Sequence, residues 1–137
     1  MAFLEKFKPQ IYAVLRIVIG LMFAQHGAQK LFGLLGGFGE GGGTAPWLSL
    51  MGLAGVIEFF GGLMIALGLA AHWAAFICSG TMAAAYFMAH SPQGFFPIQN
   101  GGELAVVYCF IFLYIASRGA GIWSIDSIWR KEKPAGP

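Results

Sequence analysis

Charged side chains are scarce in this chain of 137 residues, since Asp, Glu, Lys and Arg together make up only 10% of it. A soluble domain of this size needs more charge to cover its surface, so the composition argues against a soluble module. The net charge of +2 is small and comes from the two ends of the chain. It therefore bears on membrane topology and gives no support to nucleic-acid binding.

Cysteine is scarce as well. The two cysteines, Cys78 and Cys109, lie inside apolar runs, and the chain has no CxxC, zinc-ligand spacing or haem-attachment motif. We interpret both as small buried hydrophobic residues. No flavin or iron–sulfur motif is evident, and no metal site is predicted. His26 and His90 are the alternative haem or metal ligands, although their expected depths in the membrane differ.

Long apolar runs are what the chain has instead: 58% of its residues are hydrophobic, and the mean hydropathy is +0.71. A run of about 20 apolar residues matches a helix that crosses a bilayer. The predicted fold is an all-α membrane protein, a four-transmembrane-helix bundle with a short C-terminal interfacial helix, in one domain over residues 1–130. The predicted spans are about 11–34, 47–69, 72–89 and 102–117, followed by a disordered cytoplasmic tail, 131–137.

Basic residues are concentrated outside the first and last predicted spans. The loops on the other side carry little positive charge, with only Lys30 at the edge of one of them. The positive-inside rule therefore predicts a multi-pass protein of the cytoplasmic (inner) membrane with both termini in the cytoplasm. The flanking basic residues are Lys6, Lys8, Arg118, Arg130, Lys131 and Lys133.

Glu58 is the one charged residue of the second predicted span, 47–69. A carboxylate at bilayer depth costs several kcal/mol, so it needs a partner, a proton or a water-filled site. Most residues on its helix face are small, among them Gly55, Gly61 and Gly62. Since small residues let a neighbouring helix approach closely, we expect Glu58 to point into the bundle.

A second group of polar residues falls at the outer ends of the spans. Several members are four residues apart and so share a helix face. We expect the group to form an outward-facing pocket above Glu58, with interfacial anchoring of the helix ends as the alternative. Its members are His26, Lys30, Tyr86, His90, Asn100 and Glu103.

Arg16 interrupts the apolar run of the first span about 8 Å from its cytoplasmic end, at 1.5 Å per residue. Such a residue either extends its side chain back to the interface or is buried in a pair, for which Glu58 is the natural partner. Both alternatives stay open, together with a ligand-binding role for Arg16.

Several short motifs, in this order and spacing, resemble the DoxX family of small four-helix membrane proteins. The resemblance covers nearly the whole chain. The matching residues are Arg16 and Gly20, His26-Gly27-x-x-Lys30, Glu58 with Gly61-Gly62 and Gly68, Gly101-Gly102-Glu103, and Gly119-x-Gly121-x-x-Ser124-x-Asp126.

The resemblance implies a membrane oxidoreductase component linked to quinone chemistry. Some members of the family resemble the membrane subunit of a thiosulfate:quinone oxidoreductase, and others are associated with quinones, catechols or oxidative stress. No thiosulfate-specific feature is visible in this chain, so that substrate is not transferred. Fold and family alone do not define a reaction, which has to be argued from the site.

A quinone needs an apolar slot, a donor to each carbonyl and a protonatable neighbour. His26 and Lys30 are the candidate donors, and Glu58 or Glu103 the candidate proton relays. The catalytic candidates are thus Glu58, His26 and Glu103, and the ligand-binding candidates Lys30, Arg16, Tyr86, His90 and Asn100, with Phe23, Tyr86 and Phe95 as aromatic walls.

Quinone is then a substrate or bound ligand, and its reduction requires electrons from a protein partner or an external reductant. Besides the lipid bilayer, a homo-oligomer is a further expected association. The alternative function is a non-enzymatic membrane scaffold or assembly factor for a redox or stress-response complex. In that case Gly61, Gly62 and Gly68 would support oligomers. A small carrier or proton pathway is a third hypothesis.

Overall fold

The computed structural model describes residues 1–132, and in this range the regular structure is helical. A composite helix, Leu50–Leu67, contains a π-helical segment, Ile57–Gly61, between α3 and α4. A second π-helical segment, Tyr86–His90, extends α5. The α-helices are α1 (Ala2–Glu5), α2 (Lys8–Phe32), α3 (Leu50–Val56), α4 (Gly62–Leu67), α5 (Ala71–Ala85), α6 (Pro97–Asn100), α7 (Glu103–Arg118) and α8 (Ile125–Glu132).

Local sequence explains where these helices begin and end. The Ser49 hydroxyl accepts a hydrogen bond from the Gly52 N–H at 3.1 Å and caps the composite helix. Gly33 and Gly68, both with positive φ, end α2 and the composite helix. Each of the four predicted spans consequently coincides with a helix to within three residues at either end.

Helix α2 and the composite helix pack backbone against backbone. A Cβ added at Gly20 would lie 2.6 Å from the Ala66 nitrogen, and one at Gly62 would lie 2.6 Å from the Gly20 oxygen. A Cβ at Gly27 would lie 2.3 Å from the Phe59 nitrogen. No side chain larger than hydrogen fits at these positions, so the glycines set the distance between the two helices.

Aromatic side chains fill the space between α2 and α7. The Phe23 ring centroid lies 5.1 Å from that of Tyr108 and 4.7 Å from that of Phe112. Tyr108 and Phe112 are stacked on one face of α7. Because bulky rings separate these helices, the two helix pairs, α2 with the composite helix and α5 with α7, enclose a central aromatic core.

Arg16 joins three segments at the end of the molecule where α2 begins. Its guanidinium is fully buried and donates to the carbonyl oxygens of Ile65 at 2.7 Å and Ala66 at 2.6 Å, at the end of α4. It also donates to the oxygens of Ile122 at 3.3 Å and Trp123 at 2.7 Å, in the loop before α8. Arg16 thus pairs with backbone carbonyls, and neither alternative, pairing with Glu58 or extension to the interface, is what the structure shows.

Helix α8 is fastened to the same end of the molecule. The Asp126 carboxylate accepts from the backbone N–H groups of Ala70 at 2.8 Å and Ala71 at 3.0 Å, and so caps α5. The Ser124 hydroxyl accepts from the Ser127 N–H at 3.2 Å and caps α8 itself. Residues 131 and 132 of the predicted tail belong to α8, and residues 133–137 lie outside the described range.

Large apolar side chains cover much of the outer surface. Helix α2 and the composite helix Leu50–Leu67 are long and apolar enough to cross a bilayer. Apolar residues exposed on the four long helices include Val18, Leu21, Leu53, Phe60, Phe76, Ile77, Val107, Phe110 and Leu113. Such a surface is suited to contact with lipid.

Candidate functional site

A buried ion pair lies in the half of the molecule where α2 ends. The Lys30 ammonium is 2.6 Å from Oε2 of Glu58, and the two side chains are only 15% and 5% exposed. The small-residue face around Glu58 predicts this inward orientation. Lys30 thus supplies the partner that a carboxylate at this depth requires.

Glu58 belongs to the π-helical segment Ile57–Gly61. Such segments are rare and occur frequently at functional sites, because the wider turn alters the direction of a side chain relative to a regular helix. The second π-helical segment holds Tyr86 and His90. Both π-helical segments therefore carry candidate site residues.

The ion pair lies on a cavity of about 240 Å³ that is lined by α2, the composite helix, α5 with its π-helical extension, and α7. His26, Lys30, Glu58 and His90 all contribute to its wall. Side chains that the sequence places on two predicted spans and just after a third are thus brought to one site. The remaining lining residues are Phe23, Met82, Gly101, Leu104, Ala105 and Tyr108.

Tyr108 is a further site residue that the sequence analysis missed. Its side chain is 2% exposed and lines the cavity, yet its hydroxyl has no hydrogen-bond partner among residues 1–132. A buried hydroxyl without a partner is costly and calls for an explanation such as a ligand or an ordered water. The sequence contains one indication of this role: Tyr108 carries a hydroxyl inside an apolar span, about one and a half helical turns after Glu103.

The two cavity histidines have different surroundings. The His26 ring meets the Tyr108 ring edge-on, with 6.1 Å between the centroids. His90 Nδ1 is 3.1 Å from the Asn100 carbonyl oxygen, which selects the tautomer with the proton on Nδ1. Nε2 of His90 is then the ring nitrogen left for a ligand or a water.

Tyr86 and Asn100 organise the loop above the cavity. Asn100 donates to the Gly94 oxygen at 2.7 Å and to the Tyr86 hydroxyl at 3.3 Å, and its Oδ1 accepts from the Gly102 N–H at 2.8 Å. The Tyr86 hydroxyl in turn donates to the Phe95 oxygen. The polar groups of both side chains are thus engaged within the protein, which gives them a supporting position rather than direct contact with the cavity.

Glu103 and Arg16 do not line the cavity. Glu103 is exposed in the first turn of α7, where a carboxylate also suits the positive end of the helix dipole. Arg16 is at the opposite end of α2, bound to carbonyl oxygens. The structure therefore divides the eight predicted site residues into four on the cavity, two that support its roof and two outside it.

The three residues predicted to form aromatic walls lie in two different places. Phe23 lines the cavity, whereas Tyr86 and Phe95 line a separate apolar cleft of about 390 Å³ between α5 and α7. Met82 contributes to both and so stands between them.

The cavity combines an ammonium, a carboxylate, two imidazoles and a phenol against apolar walls. Lys30 has three donors and can hold Glu58 while donating to a ligand oxygen. No group of three or more His, Cys, Asp or Glu side chains suited to a metal ion occurs in the described part of the chain. The arrangement can bind a small ligand with oxygen acceptors and exchange a proton with it.

Two apolar helices that are long enough to cross a bilayer, together with a buried ion pair between them, indicate a helical membrane protein with a polar internal site. The chain belongs to the DoxX family, whose model matches residues 11–91. A curated protein of Haemophilus influenzae, described as uncharacterized, is 43% identical over 132 residues, which cover 94% of this chain and 98% of that protein. No solved structure matches the chain.

Proposed function

We propose that this membrane protein is a quinone-interacting component of an oxidoreductase, with the quinone ring in the cavity at Glu58. The observation that carries the proposal is the Tyr108 hydroxyl, buried beside the Lys30–Glu58 pair with no partner among residues 1–132. A carbonyl oxygen is an acceptor that satisfies such a donor. The phenol, the ammonium and the apolar walls together suit a flat ring with acceptor oxygens.

The size of the cavity limits the ligand. Its volume of about 240 Å³ is below the roughly 300–1,000 Å³ typical of pockets that hold a whole drug-sized molecule. The cavity therefore takes a ring alone, and an apolar tail would lie in the bilayer. Leu104, which is exposed on α7 and also lines the cavity, marks the side towards the lipid.

In this proposal Lys30 and Tyr108 donate hydrogen bonds to the carbonyls and Glu58 exchanges protons with the ring oxygens. Reduction to the quinol takes up electrons as well as protons, and the electrons come from an electron-donating protein partner. His90, at the end of the helix where the outer loop begins, is on the route by which protons reach Glu58, and His26, one turn before Lys30 on α2, is a further proton donor at the cavity wall.

The proposal includes the topology expected from the sequence. All four long helices span the cytoplasmic membrane, with both termini in the cytoplasm and the cavity in the outer half. Helix α7 has 16 residues and is therefore near the lower end of the spanning range. Arg118 at its end can reach the interface and extend its effective length.

The test is organic extraction of the detergent-purified protein, with quinone quantified per chain. We expect near-stoichiometric quinone in the wild type and a fall of about fivefold to tenfold in Tyr108→Phe, which loses one buried donor. Glu58→Gln and His26→Ala are expected to lose quinone too. Glu40→Gln is the matched control, because it removes an exposed outer-loop carboxylate and should retain the wild-type content.

Two results contradict the proposal. Unchanged quinone in both Glu58→Gln and Tyr108→Phe would place the ligand elsewhere. Quinone at background level in the wild type would favour the scaffold function. That function would need surfaces other than the glycine faces, since Gly62 packs against α2 and a Cβ at Gly61 would lie 2.4 Å from the Cys78 sulfur.

A further inference from the structure

An open apolar groove lies at the opposite end of the molecule, between α8 and the helices α2 and α4. It has a volume of about 840 Å³. Ile17 and Leu21 of α2 form one wall, Ala66 and Leu67 of α4 lie behind, and Ile125 and Ile128 of α8 form the other wall. We call this feature the α8 groove.

The groove is held open by polar contacts and is not filled by packing. The Asp126 N–H donates to the Gly68 oxygen at 3.0 Å, and its carboxylate caps α5, so α8 is fixed at a distance from α2. Arg16 binds the preceding loop at Trp123. Since these contacts are backbone-directed, they set the position of α8 without closing the groove.

The groove continues the lipid-facing surface of α2. Leu21, on its wall, is 46% exposed, and Val18, outside the groove, is 47% exposed. Leu21 is 13 residues after Lys8, the first residue of α2, or about 20 Å along the helix. The groove therefore extends from the end of the bundle towards the middle of the apolar surface, as an acyl chain does.

The entrance of the groove is positively charged. Ser127 lines the groove, and Arg130 is exposed one turn later on the same side of α8. Two carboxylates are near Arg130 in sequence: Asp126 is engaged by two backbone N–H groups, and Glu132 stands between two lysines. Lys131 and Lys133 add to the positive charge of this part of the sequence, which favours an anionic headgroup over a zwitterionic one.

We propose that the α8 groove binds one chain of an anionic phospholipid, with the lipid headgroup at Arg130. The chain contacts Ile17 and Leu21, and the phosphate lies where Arg130 can donate to it. Such a lipid would fill the space that separates α8 from the bundle. This site is separate from the cavity at Glu58 and does not depend on quinone binding.

The test uses protein reconstituted in bilayer discs of equimolar phosphatidylglycerol and phosphatidylcholine. The protein is then extracted in mild detergent, and the retained lipids are counted by mass spectrometry of the intact complex. We expect the wild type to retain phosphatidylglycerol in preference to phosphatidylcholine. Leu21→Trp, which fills the groove, should lower retention about tenfold, whereas Val18→Trp, with the same change on the outer surface of α2, should leave it unchanged.

Arg130→Gln tests the headgroup without altering the groove. The residue is exposed, so the variant is expected to fold, and the preference for phosphatidylglycerol should fall about fivefold. Equal retention of the two lipids by the wild type would overturn the anionic specificity. Retention that is the same in Leu21→Trp and Val18→Trp would overturn the location in the groove.

Discussion

At the scale of single residues, Lys30 and Glu58 depend on each other. The ammonium and the carboxylate are 2.6 Å apart, and the Lys30 and Glu58 side chains are only 15% and 5% exposed, so little bulk water reaches either charge. A buried pair of this kind contributes little compared with a well-packed apolar pair, but loss of one member leaves an isolated buried charge. The pair therefore links the stability of the fold to the chemistry of the cavity.

Lys30→Met should lower the free energy of unfolding by about 3 kcal/mol, because the Glu58 carboxylate loses its partner. The double variant Lys30→Met with Glu58→Gln should recover much of that loss, since no full charge stays buried. Thermal unfolding in detergent, followed by circular dichroism, gives both values. A loss in the double variant equal to the sum of the losses in Lys30→Met and Glu58→Gln would mean that the residues contribute independently.

At the scale of elements, glycine decides how closely α2 approaches the composite helix. Cβ positions at Gly20, Gly27 and Gly62 would all lie within 2.7 Å of backbone atoms of the neighbouring helix. Backbone cannot move aside as a side chain can, so these contacts fix the geometry that brings Lys30 to Glu58. The glycines support the site without touching it.

Gly27→Ala should destabilise the fold by about 1–3 kcal/mol or more, because the new methyl group would lie 2.3 Å from the Phe59 nitrogen. The matched control is Gly80→Ala, also within a helix, where no atom of another described helix or loop lies within 4 Å of the added Cβ. Here alanine should stabilise by up to about 1 kcal/mol through helix propensity. Melting temperatures of the two variants should therefore shift in opposite directions; a fall of similar size in both would argue against the close approach.

At the scale of the whole molecule, the polar residues at the two ends have different roles. The end with Lys30 encloses the polar cavity, and the end with Arg16 joins α2, α4 and α8 through backbone carbonyls. Four residues of the family motifs lie at this second end and contact one another or the same backbone segments. They are Arg16, Gly68, Ser124 and Asp126. That part of the motif is explained by packing and capping.

Single cysteines introduced into a variant without Cys78 and Cys109 test the four-span topology. Glu40→Cys and Gln93→Cys lie in the two loops expected outside the cell membrane, and both positions are exposed. A membrane-impermeant maleimide added to intact cells should label both of them. Arg130→Cys should be labelled only after the membrane is opened, and labelling of it in intact cells would contradict a cytoplasmic C-terminus.

The sequence by itself determined the helical, apolar character of the protein and the approximate helix bounds. The reason is that hydrophobic runs, Ser49 and the helix-ending glycines act locally. It also indicated Glu58 as the residue at which burial and charge conflict. The likeness of its motifs to one family was visible there too, and the family match over 11–91 bears it out.

Only the tertiary structure decided which polar residues share a site. Sequence spacing could not separate Lys30 and His90, which line the cavity, from Glu103, which is exposed, because that depends on how each helix is rotated about its axis. Nor could it assign Arg16 to carbonyl oxygens 49 and 107 residues away along the chain. Tyr108 was missed for the same reason, since an unpartnered hydroxyl is defined by what surrounds it in space.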